Sequence, residues 1–433
     1  MKKELLPQNL RICLVGQKIS ILSRSTDTGL LWPLARGLKD RGHEVTIIST
    51  STPLKKNEIE REGIKAFYLN EGQPQYKTVR FADAVHRKFV SLHQEKPFHL
   101  VHSLDESGFK IGRHKKNLNI SVAYDVEATR MAQLFSILSQ NQNHLQNTIQ
   151  TSLKLVFKFL QNYFVHDRLL LQTADGVFVT TPQQRLILER YYLYPDFHTY
   201  TVPYGINLGD LAPKHEPENF KMKLNIPETA QIILAISDFT STHEVIPLLK
   251  AFEKIVLKKP NTYLLLLGAG PQWKNVEYEM LKRALGSRVI LTGAVTAEEM
   301  LDCILSSPIY VDLSSRSTGL EPSLIEAMAQ RKVVIGSELS PISEVIEDGL
   351  DGFLVRPADD ATLANLLDKL INSHELNAQQ IGERAREKVI EVFNRQKMID
   401  SLVKAYSHIL LNSGRFKQRA SVNSFFSKLT RPV

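Results

Sequence analysis

The most informative group in this chain is a carboxylate set among apolar and small side chains. The run Ser314-Ser315-Arg316-Ser317-Thr318-Gly319-Leu320-Glu321-Pro322-Ser323-Leu324-Ile325-Glu326-Ala327-Met328-Ala329 puts a hydroxyl-rich loop ahead of a helix carrying Glu326. Burying an ionised carboxylate is costly unless hydrogen bonds satisfy it. A ligand with vicinal hydroxyls supplies them; so does a role in capping nearby amides or meeting the helix dipole. Two further loops follow apolar runs. In Leu267-Gly268-Ala269-Gly270-Pro271 the glycines permit either close backbone approach to a ligand or only a tight turn. In Gln17 to Gly29, the pair Thr28-Gly29 precedes a helix, where unpaired N–H groups face an anion or simply complete a turn. Lys18 and Arg24 in that loop are candidates to meet an anionic acceptor or a phosphate, or are only solvated. Asp125, at the end of another apolar run, either orients a reacting hydroxyl or caps the next helix.

Loops of this kind need a scaffold, and the periodicity supplies one. Arg11 to Val15 reads as a strand, Leu30 to Arg41 as a helix and Glu44 to Ser49 as a strand. Strands are also expected at His99–His102, Ser121–Tyr124, Gly176–Val179 and Tyr200–Val202, an alternation that argues for a parallel sheet with right-handed crossovers. Residues 129–172 form a helical insert rich in Gln, Asn and Leu, expected to be buried or else to face lipid or substrate. The alternation resumes after a Pro-, Lys- and Glu-rich linker at Leu208 to Pro227. It continues as strand Ile232–Ile236, helix Val245–Leu257, strand Tyr263–Leu267, helix Val276–Leu285, strand Val289–Thr292, helix Ala297–Leu305, strand Ile309–Leu313, helix Leu320–Gln330 and strand Val333–Gly336. The expected architecture is α/β: two doubly wound, Rossmann-like domains facing across a cleft. They span 1–208 and 209–394, and 395–433 form a final helix packing back on the first domain plus a basic tail. A long helical region, Glu375 to Leu411, should break near Phe393.

A chain of 433 residues suits two domains of roughly 200 residues each. With 43% hydrophobic and 23% charged residues it has the composition of a packed globule. Cys13 and Cys303 lie in apolar runs read as a buried strand and a helix, so neither a disulfide framework nor a Cys-rich metal site is expected, and a reducing cytoplasm fits. No stretch approaches the roughly 20 apolar residues that span a bilayer. The start, Met-Lys-Lys-Glu, runs quickly into a strand instead of a cleavable signal. A net charge of +8 is compatible with an anionic membrane surface, nucleic acid or an anionic substrate. His-Glu-x-x-His, Gly-x-Ser-x-Gly and Walker patterns are missing, which removes zinc hydrolysis, serine hydrolysis and P-loop chemistry. No Gly-x-Gly-x-x-Gly follows the first strand, against a dinucleotide oxidoreductase.

Taken in order, Arg11 to Val15, Thr28-Gly29, Arg41-Gly42-His43-Glu44-Val45, Ala174-Asp175-Gly176-Val177, Val202-Pro203-Tyr204-Gly205-Ile206-Asn207, Leu267 to Pro271, Glu326 to Ala329 and Glu344 to Val355 resemble the pattern of the family-four glycosyltransferases, up to about residue 395. The resemblance implies a GT-B fold and a retaining transferase that moves a sugar from a UDP- or GDP-linked donor to a glycan, lipid or small-molecule acceptor. It implies no required cofactor or metal, no nucleic-acid partner, and a cytoplasmic site of action that extends to peripheral contact at the inner face of the membrane. Glu326 matches the second Glu of the Glu-x7-Glu motif, which holds the ribose. Gly319 and Leu320 match the loop at the donor phosphates and sugar, and Gly29 the glycine near the diphosphate. The reaction centre is thereby assigned to Asp125, Glu326, Gly319 and Leu320. Donor binding falls to Gly29, Gly268, Gly270, Ser315, Arg316, Thr318, Gly319, Leu320 and Glu326.

The chain departs from the pattern at four positions. Thr318 stands where the first motif Glu is usual, and Asp238 and His243 stand where an Arg and a Lys usually clamp the diphosphate. An Asp beside a diphosphate repels it by roughly 1 kcal/mol or more through solvent. Arg316, Lys274, Arg331 and Lys332 are the candidate replacements, Arg316 first. The family's His-Asp pair before the insert appears as Tyr124-Asp125. These departures leave open a second expectation, a non-catalytic partner or regulatory subunit, and a third, a membrane-docked scaffold using the insert and basic tail.

Overall fold

The computed structural model describes residues 4–16, 31–50, 57–72, 78–126, 167–211, 220–237, 239, 242–314, 322–339, 341–371 and 377–417. Most of the insert at 129–172 therefore lies outside the described residues, as do the basic tail after Lys417, Lys18 and Arg24.

The first half builds an eight-stranded sheet from β1 (Arg11–Gly16), β2 (Glu44–Thr50), β3 (Glu58–Arg61), β4 (Ile64–Leu69), β5 (Leu100–Ser103), β6 (Ser121–Asp125), β7 (Gly176–Val179) and β8 (Thr199–Thr201), in the order β3-β4-β2-β1-β5-β6-β7-β8. Every pairing is parallel except β3 with β4. Ile12, Cys13, Leu14 and Val15 have no exposed surface, as expected of a parallel strand covered on both faces. The β3–β4 hairpin is a departure from the expected alternation. Its outer strand, Glu-Ile-Glu-Arg, is a charged edge that carries no apolar signal and that protects the sheet from further pairing.

The second half builds a six-stranded parallel sheet from β9 (Gln231–Ile236), β10 (Thr262–Leu267), β11 (Val289–Gly293), β12 (Ile309–Asp312), β13 (Val333–Ser337) and β14 (Phe353–Val355), in the order β11-β10-β9-β12-β13-β14. Both halves are thus α/β and doubly wound, the two-domain plan expected from the periodicity. Two helices sit a few residues from their expected bounds. The one after β10 runs Trp273–Lys282 and closes at Ala284, which takes φ 55°. The one carrying Glu326 is Pro322–Ala329. Its expected start at Leu320 lies outside the described residues, and Arg331 at φ 58° ends it.

Helices α1 (Leu31–Asp40) and α2 (Thr78–Glu95) pack on opposite faces of the first sheet. The expected long C-terminal helix is two, Ala378–Val392 and Arg395–Asn412, separated at Phe393 and Asn394. The Asn394 side chain accepts from Gln396 N at 2.8 Å and starts the second helix. That last helix returns to the first sheet, where Ile399, Leu402, Ala405, Tyr406, Ile409 and Leu410 join the core with Leu34, Ala35 and Leu38 of α1. Two-residue strands Glu4–Leu5 and Phe416–Lys417 then pair in parallel. Arg415 seals the corner, donating to His99 O at 3.0 Å and Ser121 Oγ at 2.5 Å.

The chain thus crosses between domains twice, and the crossings touch. Ile206 N donates to Phe393 O at 2.8 Å, and Arg395 N donates to Ile206 O at 3.0 Å. A Cβ on Gly205 would come within 2.7 Å of both Arg395 Cα and Asn394 O, so no larger residue fits. Gly205→Ala is expected to destabilise the protein by about 1–3 kcal/mol in urea unfolding. Gly209→Ala, whose Cβ would meet nothing closer than 3.6 Å, should change it little.

His43 of the Arg-Gly-His-Glu-Val run is a structural histidine. Its Nδ1 accepts from Leu10 N at 3.1 Å, the ring is buried, and burial lowers its pKa. Burial lowers His86 and His93 in the same way. A histidine with a depressed folded pKa binds fewer protons folded than unfolded, so stability rises with pH. Between about pH 5 and 7 the melting temperature should therefore fall as the pH falls through the usual histidine value near 6.5. His43→Asn, whose side-chain oxygen still accepts from Leu10, should flatten that dependence. An unaltered slope would remove His43 from the account.

Candidate functional site

The carboxyl edges of the two sheets face each other. Helix Pro182–Tyr192, which follows β7, meets the short helix Ile342–Val345, which follows β13: Gln183 N donates to Glu344 Oε2 at 3.2 Å. The first carboxyl-edge contact between domains is thus a carboxylate placed on a helix N-terminus. Strand order reverses beside β1 in one sheet and beside β9 in the other, and ligands of doubly wound sheets bind at such switch points.

On the first sheet, Asp125 ends β6 with its side chain 19% exposed. The residues after Val126, where a helix it would cap begins, lie outside the described residues. Its Oδ1 pairs at 2.7 Å with Nε2 of His102 on β5, whose Nδ1 lies 2.6 Å from Tyr406 OH. The two are part of the lining of a pocket of about 530 Å³ with Thr180, Tyr204 and the apolar Leu104 and Phe178. Tyr124 points the other way. It is fully buried in the core beneath α2, with its hydroxyl against Thr173 and Gly108, and burial holds the phenol above its ordinary range. The Tyr124-Asp125 pair therefore supplies one side chain to the cleft, because successive strand residues face opposite sides.

On the second sheet, all eight residues of Pro322–Ala329 are buried, and Glu326 is 2% exposed. Glu326 lies in the second turn, past the amides that an N-terminal cap serves. Neighbouring it in the core, Tyr310 and Ser323 share a hydrogen bond at 2.8 Å. Asp312 at the end of β12 accepts from Ser314 N at 3.0 Å through Oδ1. Its Oδ2, and Ser337 Oγ at the end of β13, are buried without a partner among the described residues. Ser337 lines a second pocket, of about 360 Å³, with His243, Leu313, Arg356 and Asp359.

Gly268 takes φ +124°, and a Cβ there would collide with the carbonyl oxygen of Ser237. The close approach this glycine permits is to the neighbouring strand end. Gly270 accepts from Trp273 N at 3.1 Å as the next helix begins. Gly29, Ser315, Arg316, Thr318, Gly319 and Leu320, together with Asp238, lie outside the described residues. Among the expected cation replacements, Arg331 and Lys332 are not at the cleft. Both precede β13 at its amino end: Arg331 pairs with Glu383 at 2.7 Å, and Lys332 Nζ donates to Leu305 O at 2.6 Å while burial lowers its pKa. Lys274 is exposed in the first turn after β10, on the carboxyl side.

Sequence reasoning missed His102, Tyr406 and Arg356. His102 carried a faint signal, a histidine at the end of an expected strand. Tyr406 carried none, being one aromatic on an amphipathic helix. Arg356 stands just after β14, on the edge where Arg331 and Lys332 were expected, and pairs with Glu338 at 3.3 Å. Among the described residues no group of three or more His, Cys, Asp or Glu is arranged for a metal ion. No described helix is long and apolar enough to cross a membrane.

With this geometry in place, comparison with known proteins is direct. Residues 31–205 match the family described as Glycosyl transferase 4-like domain, and residues 216–388 match Glycosyl transferases group 1. The chain is 25% identical over 379 residues to N-acetyl-alpha-D-glucosaminyl L-malate synthase of Bacillus anthracis, covering 87% of this chain and 92% of that protein. It is 24% identical over 363 residues to phosphatidyl-myo-inositol mannosyltransferase of Mycolicibacterium smegmatis, covering 82% and 83%. Among solved structures it resembles sucrose-phosphate synthase of Thermosynechococcus elongatus, with a TM-score of 0.74, 20% identity and coverage of 93% and 100%. It also resembles Anabaena HepE in complex with UDP and glucose, with a TM-score of 0.69, 15% identity and coverage of 92% and 100%. The chain belongs to the family-four, GT-B glycosyltransferases, as a divergent member.

A buried hydroxyl without a partner costs stability and is retained where something else bonds to it. Ser337→Ala should therefore leave the ligand-free melting temperature unchanged or slightly higher. It should also shrink the stabilisation produced by UDP or GDP. A lower ligand-free melting temperature with full nucleotide response would mean that Ser337 serves the fold alone.

Proposed function

We propose that this glycosyltransferase moves a sugar from a UDP- or GDP-linked donor to a hydroxyl of a glycan, lipid or small-molecule acceptor, with retention at the anomeric carbon and no metal. What carries this reading is the opposition of two polar centres set in apolar surroundings at facing carboxyl edges: Glu326 and Asp312 on one side, Asp125 with His102 on the other. Residues 209–394 hold the donor, with Glu326 accepting from the ribose hydroxyls, and residues 1–208 hold the acceptor. Gly29, Gly268, Gly270 and the Ser315-to-Leu320 loop complete the donor subsite.

Charge gathers on the departing nucleotide, and without a metal it must be met by amides and cations. Gly319 and Leu320, ahead of Pro322–Ala329, offer amides; Arg316 and the exposed Arg356 offer positive charge. Asp125 orients the acceptor hydroxyl toward the anomeric carbon once domain closure has expelled water. UDP is the favoured nucleotide, because HepE was solved with UDP and with UDP-glucose. The names of the relatives carry acceptors as different as L-malate and phosphatidyl-myo-inositol, so the acceptor class is left broad. A basic surface at the inner face of a membrane would serve a lipid acceptor.

The first test is thermal stability against UDP, GDP, ADP, CDP and their common sugar conjugates, since a ligand that binds only the native state raises its apparent stability by mass action. One nucleotide should raise the melting temperature, and Glu326→Gln, which keeps the side-chain volume, should abolish the rise with little change in the ligand-free protein. If no nucleotide acts, the departures at Thr318, Asp238 and His243 favour a non-catalytic partner subunit instead.

A further inference from the structure

The pocket beside Asp125 is backed by a buried polar chain that no step above has used. His102 is 1% exposed in the middle of the first domain, between β6 and the last helix, Arg395–Asn412. Its two ring nitrogens are engaged at 2.7 Å by Asp125 and at 2.6 Å by Tyr406. The ring is also fixed by packing: its centroid lies 4.7 Å from that of Phe178 and 5.7 Å from that of Tyr406, the latter edge-on. Tyr406 has no exposed surface, and burial, with the Asp125 charge adding to it, holds its phenol well above the ordinary range, so its hydroxyl keeps its proton.

With a neutral His102 ring, these contacts fix where its proton sits. A carboxylate only accepts, so the nitrogen facing Asp125 must carry hydrogen. In the neutral ring Nδ1 is then bare and accepts from the Tyr406 hydroxyl. The hydrogen-bond direction runs one way, from Tyr406 to His102 to Asp125, and leaves the second Asp125 oxygen for the cleft. We propose that His102 and Tyr406 are positioning residues for Asp125, holding one carboxylate oxygen so that the other meets the acceptor hydroxyl at a set angle. The inference rests on the transferase reading for what Asp125 does, and the proton arrangement rests on the geometry together with a neutral His102 ring. One consequence is topological: the helix that orients the acceptor-side carboxylate belongs to the returning end of the chain, immediately after the crossing at Asn394.

Two measurements on the full-length chain test this, one of which needs no substrate. With the 13 histidines labelled with 15N in the ring, the His102 signals, assigned by their loss in His102→Gln, should have the pattern of a neutral ring protonated on Nε2. Tyr406→Phe, which keeps the aromatic packing, should shift the Nδ1 signal. A ring protonated on Nδ1 alone or on both nitrogens, or signals unmoved in Tyr406→Phe, would overturn the arrangement. In the second, release of UDP from UDP-sugars in the presence of acceptor should fall by about 10- to 100-fold in kcat for Tyr406→Phe and His102→Leu, with KM for the nucleotide sugar unchanged. His102→Gln, which still presents an amide donor toward Asp125, should recover part of the loss. His102→Leu combined with Asp125→Asn should be no worse than Asp125→Asn alone. Wild-type kcat in folded Tyr406→Phe would refute the positioning role. Absence of turnover in the wild type would instead refute the transferase reading and leave the ring signals to decide the proton arrangement.

Discussion

The arrangement of this protein depends on one backbone contact, the side-by-side passage of the chain where it leaves and re-enters the first domain. Ile206 and Asn394 pair there through two hydrogen bonds, and Gly205 provides the clearance. At the cleft mouth, Gln183 N at a helix N-terminus donates to the Glu344 carboxylate.

That constraint also explains why the last helix matters to the site. Helix Arg395–Asn412 starts at the crossing, covers one face of the first sheet, and delivers Tyr406 beneath His102. The polar chain lies inside a core cluster that includes Phe178, Leu402 and Ile409. Polar groups in such a setting are tolerable only when mutually satisfied, and satisfaction fixes their geometry. The opposite side of the cleft is less complete by itself. Asp312 Oδ2 and Ser337 Oγ are buried at neighbouring strand ends with no partner among the described residues, which is how a site looks when a polar ligand completes it.

The sequence was a good guide to the scaffold. Short β-branched and leucine-rich runs such as Ile12 to Val15 and Leu264 to Leu267, spaced by helical periods, fit strands covered on both faces, so the parallel sheets and their alternation with helices were legible from the pattern. Cys13 and Cys303 fell in the strand and the helix expected of them. The β3–β4 hairpin was not legible, because an exposed edge strand needs no apolar alternation and Glu58-Ile59-Glu60-Arg61 resembles a loop. Arg331 and Lys332 misled for another reason. Nearness in sequence to Glu326 places them after its helix, at the amino ends of the strands, a full helix length from the edge where a phosphate would bind.

What the sequence by itself determined is the order and type of the elements, the family, and the burial of Glu326 on a helix too apolar to face water. Each follows from local spacing: period, run length and motif order are properties of neighbours along the chain. Only the tertiary structure decided which side chains share a site. It brought Tyr406 to His102 across 304 positions and His102 to Asp125 across 23, and it turned Tyr124 into the core while Asp125 faced the cleft. Those pairings depend on strand order, on pleat phase and on the return of the last helix, and none of the three is written in the spacing of residues along the chain.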